Sequence, residues 1–110
     1  MSEETQSVSA ETALRVVADP CRRSILSQLI DSEEVVVPMK TLVDRIAPEN
    51  PPPEATGAHA TSLLIDVHHI HLPKLAAANV IEYDPRAKTI RYTPDERLER
   101  VLRFVTEELE

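Results

Sequence analysis

The sequence predicts a mainly α-helical domain carrying one small β-hairpin, an α+β class, on three observations. Apolar residues recur at spacings of three and four through most of the 110 residues. Two short β-prone runs, Val80–Tyr83 and Thr89–Tyr92, flank a proline-containing turn near the end. A Ser, an Asp-Pro pair and a cluster of prolines punctuate the rest at places where helices start and stop.

The elements follow in order. Residues 1–8 are polar and acidic and are expected to form a flexible tail, with one domain over 9–110. Ser9 is placed to cap a first helix reaching about Ala18, with Ala10, Ala13, Leu14 and Val17 on one face. Asp19-Pro20 marks the next start sharply. The carboxylate accepts the unpaired amides of the first turn, and the proline sits where its missing N–H costs nothing. That second helix runs to about Asp31, with Cys21, Ile25, Leu26, Leu29 and Ile30 inward and Arg22, Arg23 and Gln28 outward.

Within Ser32–Pro38 the run Val35-Val36-Val37 predicts a short strand pairing with the later hairpin. A third helix spans about Met39–Ala47 and turns Met39, Leu42, Val43 and Ile46 inward. Pro48–Thr56 holds four prolines in nine residues and reads as a loop. Gly57–Ala78 is helical again, with a kink expected near His69 because Pro73 removes a backbone donor. Asn79 suits the left-handed conformation that ends a helix. The hairpin turns through Asp84–Lys88, and a last helix, Pro94 to about Leu109, carries the stripe Leu98, Val101, Leu102, Val105 and Leu109. The order helix, helix, strand, helix, helix, hairpin, helix is that of a winged helix-turn-helix domain.

Composition narrows the function classes. A net charge of −7 repels a duplex at long range, which argues against coating DNA by bulk charge but leaves room for a local basic patch. One Phe, two Tyr and no Trp mean that aliphatic side chains must fill the core. The Glu-rich, Lys-poor bias is similar to that of proteins from salt-loving archaea. The single Cys21 forms no internal disulfide, and with no apolar leader and no run of about 20 apolar residues the expectation is a cytoplasmic protein outside the membrane. One glycine excludes glycine-rich phosphate loops, and no nucleophile–base pair or metal motif is evident, so neither an enzyme nor a cofactor is expected.

Two segments carry a resemblance. Ala18–Leu29, with its Asp-Pro start, arginines and Ile-Leu, resembles the opening of the ArsR-like winged helix-turn-helix family. His71-Leu72-Pro73-Lys74-Leu75-Ala76-Ala77-Ala78-Asn79-Val80-Ile81-Glu82-Tyr83 resembles the segment leading from that family's reading helix into its wing. The His-x-His-Leu-Pro-Lys-Leu stretch is closest to uncharacterised haloarchaeal winged-helix domains. The resemblance implies a transcriptional regulator that binds double-stranded DNA as a homodimer joined through its terminal helices. Leu98, Val101, Leu102, Val105 and Leu109 are then candidates for the dimer interface. The same stripe also suits a helix packed on its own core.

Candidate DNA contacts are Ser62 and His69 on the reading helix and Arg86, Lys88 and Arg91 on the wing. The helix departs from the family pattern: His59, Ser62, Asp66 and His69 share its solvent face, with one carboxylate and no lysine or arginine. The alternative reading is therefore a winged-helix protein-interaction module without DNA binding. His68 and His71 fall on the apolar arc beside Leu64, Val67 and Leu75 and are expected to be core or interface histidines rather than metal ligands.

Overall fold

The computed structural model describes residues 8–49 and 59–109. The expected tail, up to residue 7, and most of the expected proline-rich loop, with Gly57, lie outside the described residues.

Helix α1, Ala10–Val17, begins where Ser9 accepts from the Thr12 amide at 3.1 Å. Ala13, Val16 and Val17 are buried. Leu14, expected inward, is 56% exposed, and Ala10 is also exposed; the helix is rotated so that Val16 takes the inward place. Helix α2, Pro20–Asp31, starts as expected. One oxygen of Asp19 accepts from the amides of Cys21 (2.8 Å) and Arg22 (3.3 Å), and Pro20 occupies the first turn.

Arg22 and Arg23, expected to be solvated, instead reach back half-buried to the end of α1. Arg22 donates to the carbonyls of Val16 (2.9 Å) and Arg15 (3.1 Å), and Arg23 to that of Val17 (2.7 Å). These are among the last carbonyls of α1, of which that of Arg15 also accepts from the Ala18 amide, and the two cations satisfy the helix end while offsetting the negative end of its dipole. The α1–α2 corner is thereby fixed.

Strand β1, Val36–Pro38, leads directly into helix α3, Met39–Ile46. No side chain caps α3; the Met39 amide donates instead to the Lys88 carbonyl at 2.9 Å, which ties this helix start to the hairpin. All four expected inward residues of α3 are buried. A short 3₁₀ turn, Ala47–Glu49, follows.

The predicted kink takes a defined form. Helix α4, His59–Asp66, passes into a π-helical turn, Val67–His71, and then into helix α5, Leu72–Ala77. Pro73 offers no hydrogen to His69, and its ring crowds that carbonyl, so the backbone widens ahead of it and the Leu72 amide bonds the Val67 carbonyl five residues back. Asn79 ends α5 with φ 65°. The Val80 amide reaches Leu75 (3.2 Å) and the Asn79 amide reaches Ala76 (3.0 Å), the double bond of a Schellman ending, with Val80 and Leu75 both fully buried.

Strands β2, Ile81–Asp84, and β3, Thr89–Tyr92, form the hairpin, and β1 adds to the far edge of β3 to give an antiparallel sheet in the order β1-β3-β2. Pro38 sits on the edge strand, where a missing amide is tolerated. Helix α6, Glu96–Phe104, is capped by Asp95 and continues as a second π-helical turn, Val105–Leu109. Ile25, Leu26, Leu42, Ile46, Leu72, Leu75, Ile90 and Leu98 are fully buried, an aliphatic core as the composition requires. The result is an α+β winged-helix-like fold. Among the described residues no helix is long and apolar enough to cross a membrane.

Candidate nucleic-acid interface

The hairpin is a rigid wing. At its tip Asp84 accepts from the amides of Arg86 (3.0 Å) and Ala87 (3.2 Å), and the Lys88 amide closes onto the Asp84 carbonyl at 2.7 Å. Lys88 takes φ 58°, a left-handed conformation that costs a residue with a Cβ about 1–2 kcal/mol. The strain turns the chain back into β3 in register, Asp84 opposite Thr89 and Glu82 opposite Arg91.

Arg86, Lys88 and Arg91 are all exposed on this wing. Several exposed arginines elsewhere are neutralised: Arg15 pairs with Glu11 (2.9 Å), Arg45 with Glu34 (3.5 Å) and Arg100 with Glu96 (3.3 Å). The three wing cations form no ion pair among the described residues, although Glu82 lies directly across from Arg91.

The outer surface of α4 and the π-helical turn is built differently. Asp66 and His69 are exposed, as the helical count predicts. Beside them Ile65 and Ile70 are 50% and 44% exposed. The side chains of His59 and Ser62 lie outside the description. The described part of this surface is therefore acidic and apolar, with Lys74 one turn further on at the start of α5.

The histidines that share an arc in sequence are separated in space. His68 Nδ1 meets the Tyr83 hydroxyl at 2.5 Å, and that hydroxyl also contacts the Met39 sulfur at 3.6 Å, so one tyrosine links the π-helical turn to both the wing and α3. Burial, assisted by Asp84, raises the Tyr83 pKa and keeps the hydroxyl protonated. His71 is buried at the other side of the turn, with Arg22 Nη1 3.5 Å from its Nδ1. Burial lowers its pKa, and because a guanidinium only donates, that nitrogen faces it as the acceptor of a neutral ring.

One constellation was not anticipated from sequence. Ligand atoms of Asp19, Cys21 and His71 all lie within 4.8 Å of one another. The Cys21 thiol is pushed up to about 11 by burial first, then by the charges of Asp19 and Asp66.

The expected dimer stripe divides. Leu98 and Leu102 are buried in the chain's own core, while Val101 and Val105 are half-buried against it; the Leu109 side chain is outside the description. The larger apolar exposures on the terminal helices are instead Leu14 on α1 and Phe104, 55% exposed, on α6. Asp95 holds the two helix starts together: one oxygen accepts from Leu98 (3.0 Å) and the other from Val8 (2.8 Å).

No curated protein and no solved structure matches the chain. Residues 14–91, spanning α1 to β3, match a family described as a domain of unknown function, DUF7344. The match covers more than half of the chain and includes α4, the π-helical turn and the hairpin, and the protein belongs to the DUF7344 family.

Proposed function

We propose that the protein is a winged-helix DNA-binding transcriptional regulator that acts as a homodimer. The observation that carries this reading is the wing: three exposed cations, free of ion pairs among the described residues, stand on a hairpin braced by the Asp84 turn and the Met39–Lys88 bond. A hairpin braced in this way has little backbone left to order when its cations meet phosphates. Leu14 and Phe104 supply apolar surface on the packed pair α1 and α6 for joining two copies, and His69 faces outward toward the groove that the reading helix would enter.

The acidic body sets the conditions. With a net charge of −7, approach to a duplex is opposed at low ionic strength, and strong salt, by shortening the screening length to about 3 Å near 1 M, removes that long-range repulsion while also weakening each phosphate contact through its counterion term. Selection of double-stranded DNA from a promoter library at high salt should enrich a defined sequence. Charge reversal at Arg86, Lys88 and Arg91 should weaken binding across all sequences and reduce the salt dependence by about 0.9 in logarithmic slope for each phosphate no longer neutralised. Absence of binding at every salt concentration, with the dimer intact, overturns the reading.

The exposed Ile65 and Ile70 beside Asp66 favour a second reading, a protein-interaction module that does not bind DNA. In that case Asp66→Lys alters partner capture and has no effect on DNA occupancy.

A further inference from the structure

Asp19 and Cys21 stand at the start of α2, and His71 closes the π-helical turn, so the fold joins two segments far apart in the chain around one point. The three offer a carboxylate oxygen, a sulfur and an imidazole nitrogen, each within 4.8 Å of the others. Ligands held 2.0–2.3 Å from a tetrahedral ion lie about 3.3–3.8 Å apart, so rotations of these side chains suffice to close the set.

The scaffold is already fixed. Both capping bonds fall on one oxygen of Asp19, leaving the second oxygen with neither, and the Cys21 backbone is held by one of those bonds. His71 and Cys21 are buried and half-buried. One carboxylate, one thiolate and one neutral imidazole carry two negative charges in all, which a dication neutralises; a paired site is the form in which charges are tolerated away from water. Sulfur and imidazole donors select zinc-like ions over magnesium or calcium.

We propose that Asp19, Cys21 and His71 bind a divalent ion of the zinc class, with water completing the coordination. Binding forms a metal–sulfur bond and breaks the Cys21 S–H bond; the proton leaves to solvent, and no electron is transferred. Arg22 keeps its bonds to Val16 and Arg15 when the ion binds. The charge of Asp66 acts on both Cys21 and His71 and adds to the attraction for a cation. None of the wing cations takes part, so the site stands independently of DNA binding.

The test uses the full chain without a tag, stripped by chelator and titrated with Zn²⁺ alone, with Co²⁺ as the spectroscopic probe. One ion per chain should bind, with thiolate-to-cobalt charge-transfer absorption and release of a proton. Cys21→Ser should abolish that absorption. Asp19→Asn retains a good helix cap, so the fold, followed by circular dichroism, should persist while affinity falls at least tenfold. His71→Asn should do the same, and a joint His68→Asn, His69→Asn variant should bind as the parent does. Lack of the thiolate absorption, affinity unchanged in Asp19→Asn, or binding lost only in the His68, His69 variant overturns the proposal.

Discussion

Asp95 offers the sharpest test of how the fold is closed. The residue is 6% exposed, and its carboxylate accepts two amides at once, Leu98 as the cap of α6 and Val8 from the segment entering α1. Removing a helix cap costs about 0.5–2 kcal/mol, and losing a hydrogen bond to a charged group about 1.5–3 kcal/mol. Asp95→Ala should therefore destabilise by about 3 kcal/mol, which lowers the melting temperature by about 12–24 °C in a domain of this size. Asp95→Asn separates the two contributions, because an amide has one acceptor oxygen where the carboxylate has two. It should keep the cap, lose the Val8 bond and cost about 1–2 kcal/mol. Urea unfolding followed by far-UV circular dichroism, at one fixed protein concentration so that dimer formation does not bias the comparison, measures both. If Asp95→Asn proves as costly as Asp95→Ala, or Asp95→Ala costs less than about 1 kcal/mol, the double bond is not what holds α1 to α6.

Three further outcomes are expected. Leu98→Ala should cost about 2–5 kcal/mol, since the side chain is fully buried within one chain, whereas Phe104→Asp should leave monomer stability within about 1 kcal/mol and shift sedimentation toward a monomer; the reverse pattern would return the dimer contact to the buried stripe. Lys88→Gly should gain about 0.5–1 kcal/mol in thermal unfolding by relieving the left-handed residue, and should weaken DNA binding by removing a wing cation; a loss of stability would contradict the strain. Tyr92 donates to Glu99 at 2.8 Å, and burial, then that bond, raise its pKa above the usual 10.0. The folded state thus favours the protonated phenol: its contribution is complete below pH 10 and is lost as the pH rises further. Tyr92→Phe should cost about 1 kcal/mol at neutral pH and flatten the alkaline decline, leaving the part due to Tyr83; an unchanged slope would refute the assignment.

What was legible in the sequence was local. Ser9, Asp19-Pro20 and Asn79 act within a few residues of themselves, so the ends they mark are found in place. The apolar count on α3 succeeds because a helix with one buried face allows no other rotation. On α1 the same count picks Leu14 instead of Val16, since the arc of apolar residues is wider than the contact and the placing of α2 and α6 decides which edge is covered. Pro73 announces a break near His69, yet whether it kinks or widens the helix depends on the packing of Val67 and Leu72 on either side. The arginines of α2 look solvated because the carbonyls they satisfy belong to a different helix end. In the candidate site the wing cations follow from the hairpin itself. The Asp19, Cys21 and His71 group does not, as no spacing in the chain records a meeting of α2 with the π-helical turn.

The α1–α2 corner also sets an order for folding. The bonds of Arg22 and Arg23 to α1 close loops of six or seven residues, so their entropic cost is small and this corner is able to assemble early. The Asp95–Val8 bond joins residues 87 positions apart and waits for everything between them. Helix α6 is therefore expected to dock late and open early, with amide exchange along this seam running ahead of global unfolding. Because Phe104 rides on that helix, the proposed pairing of two copies through it would add to the stability of the closed state and slow this opening.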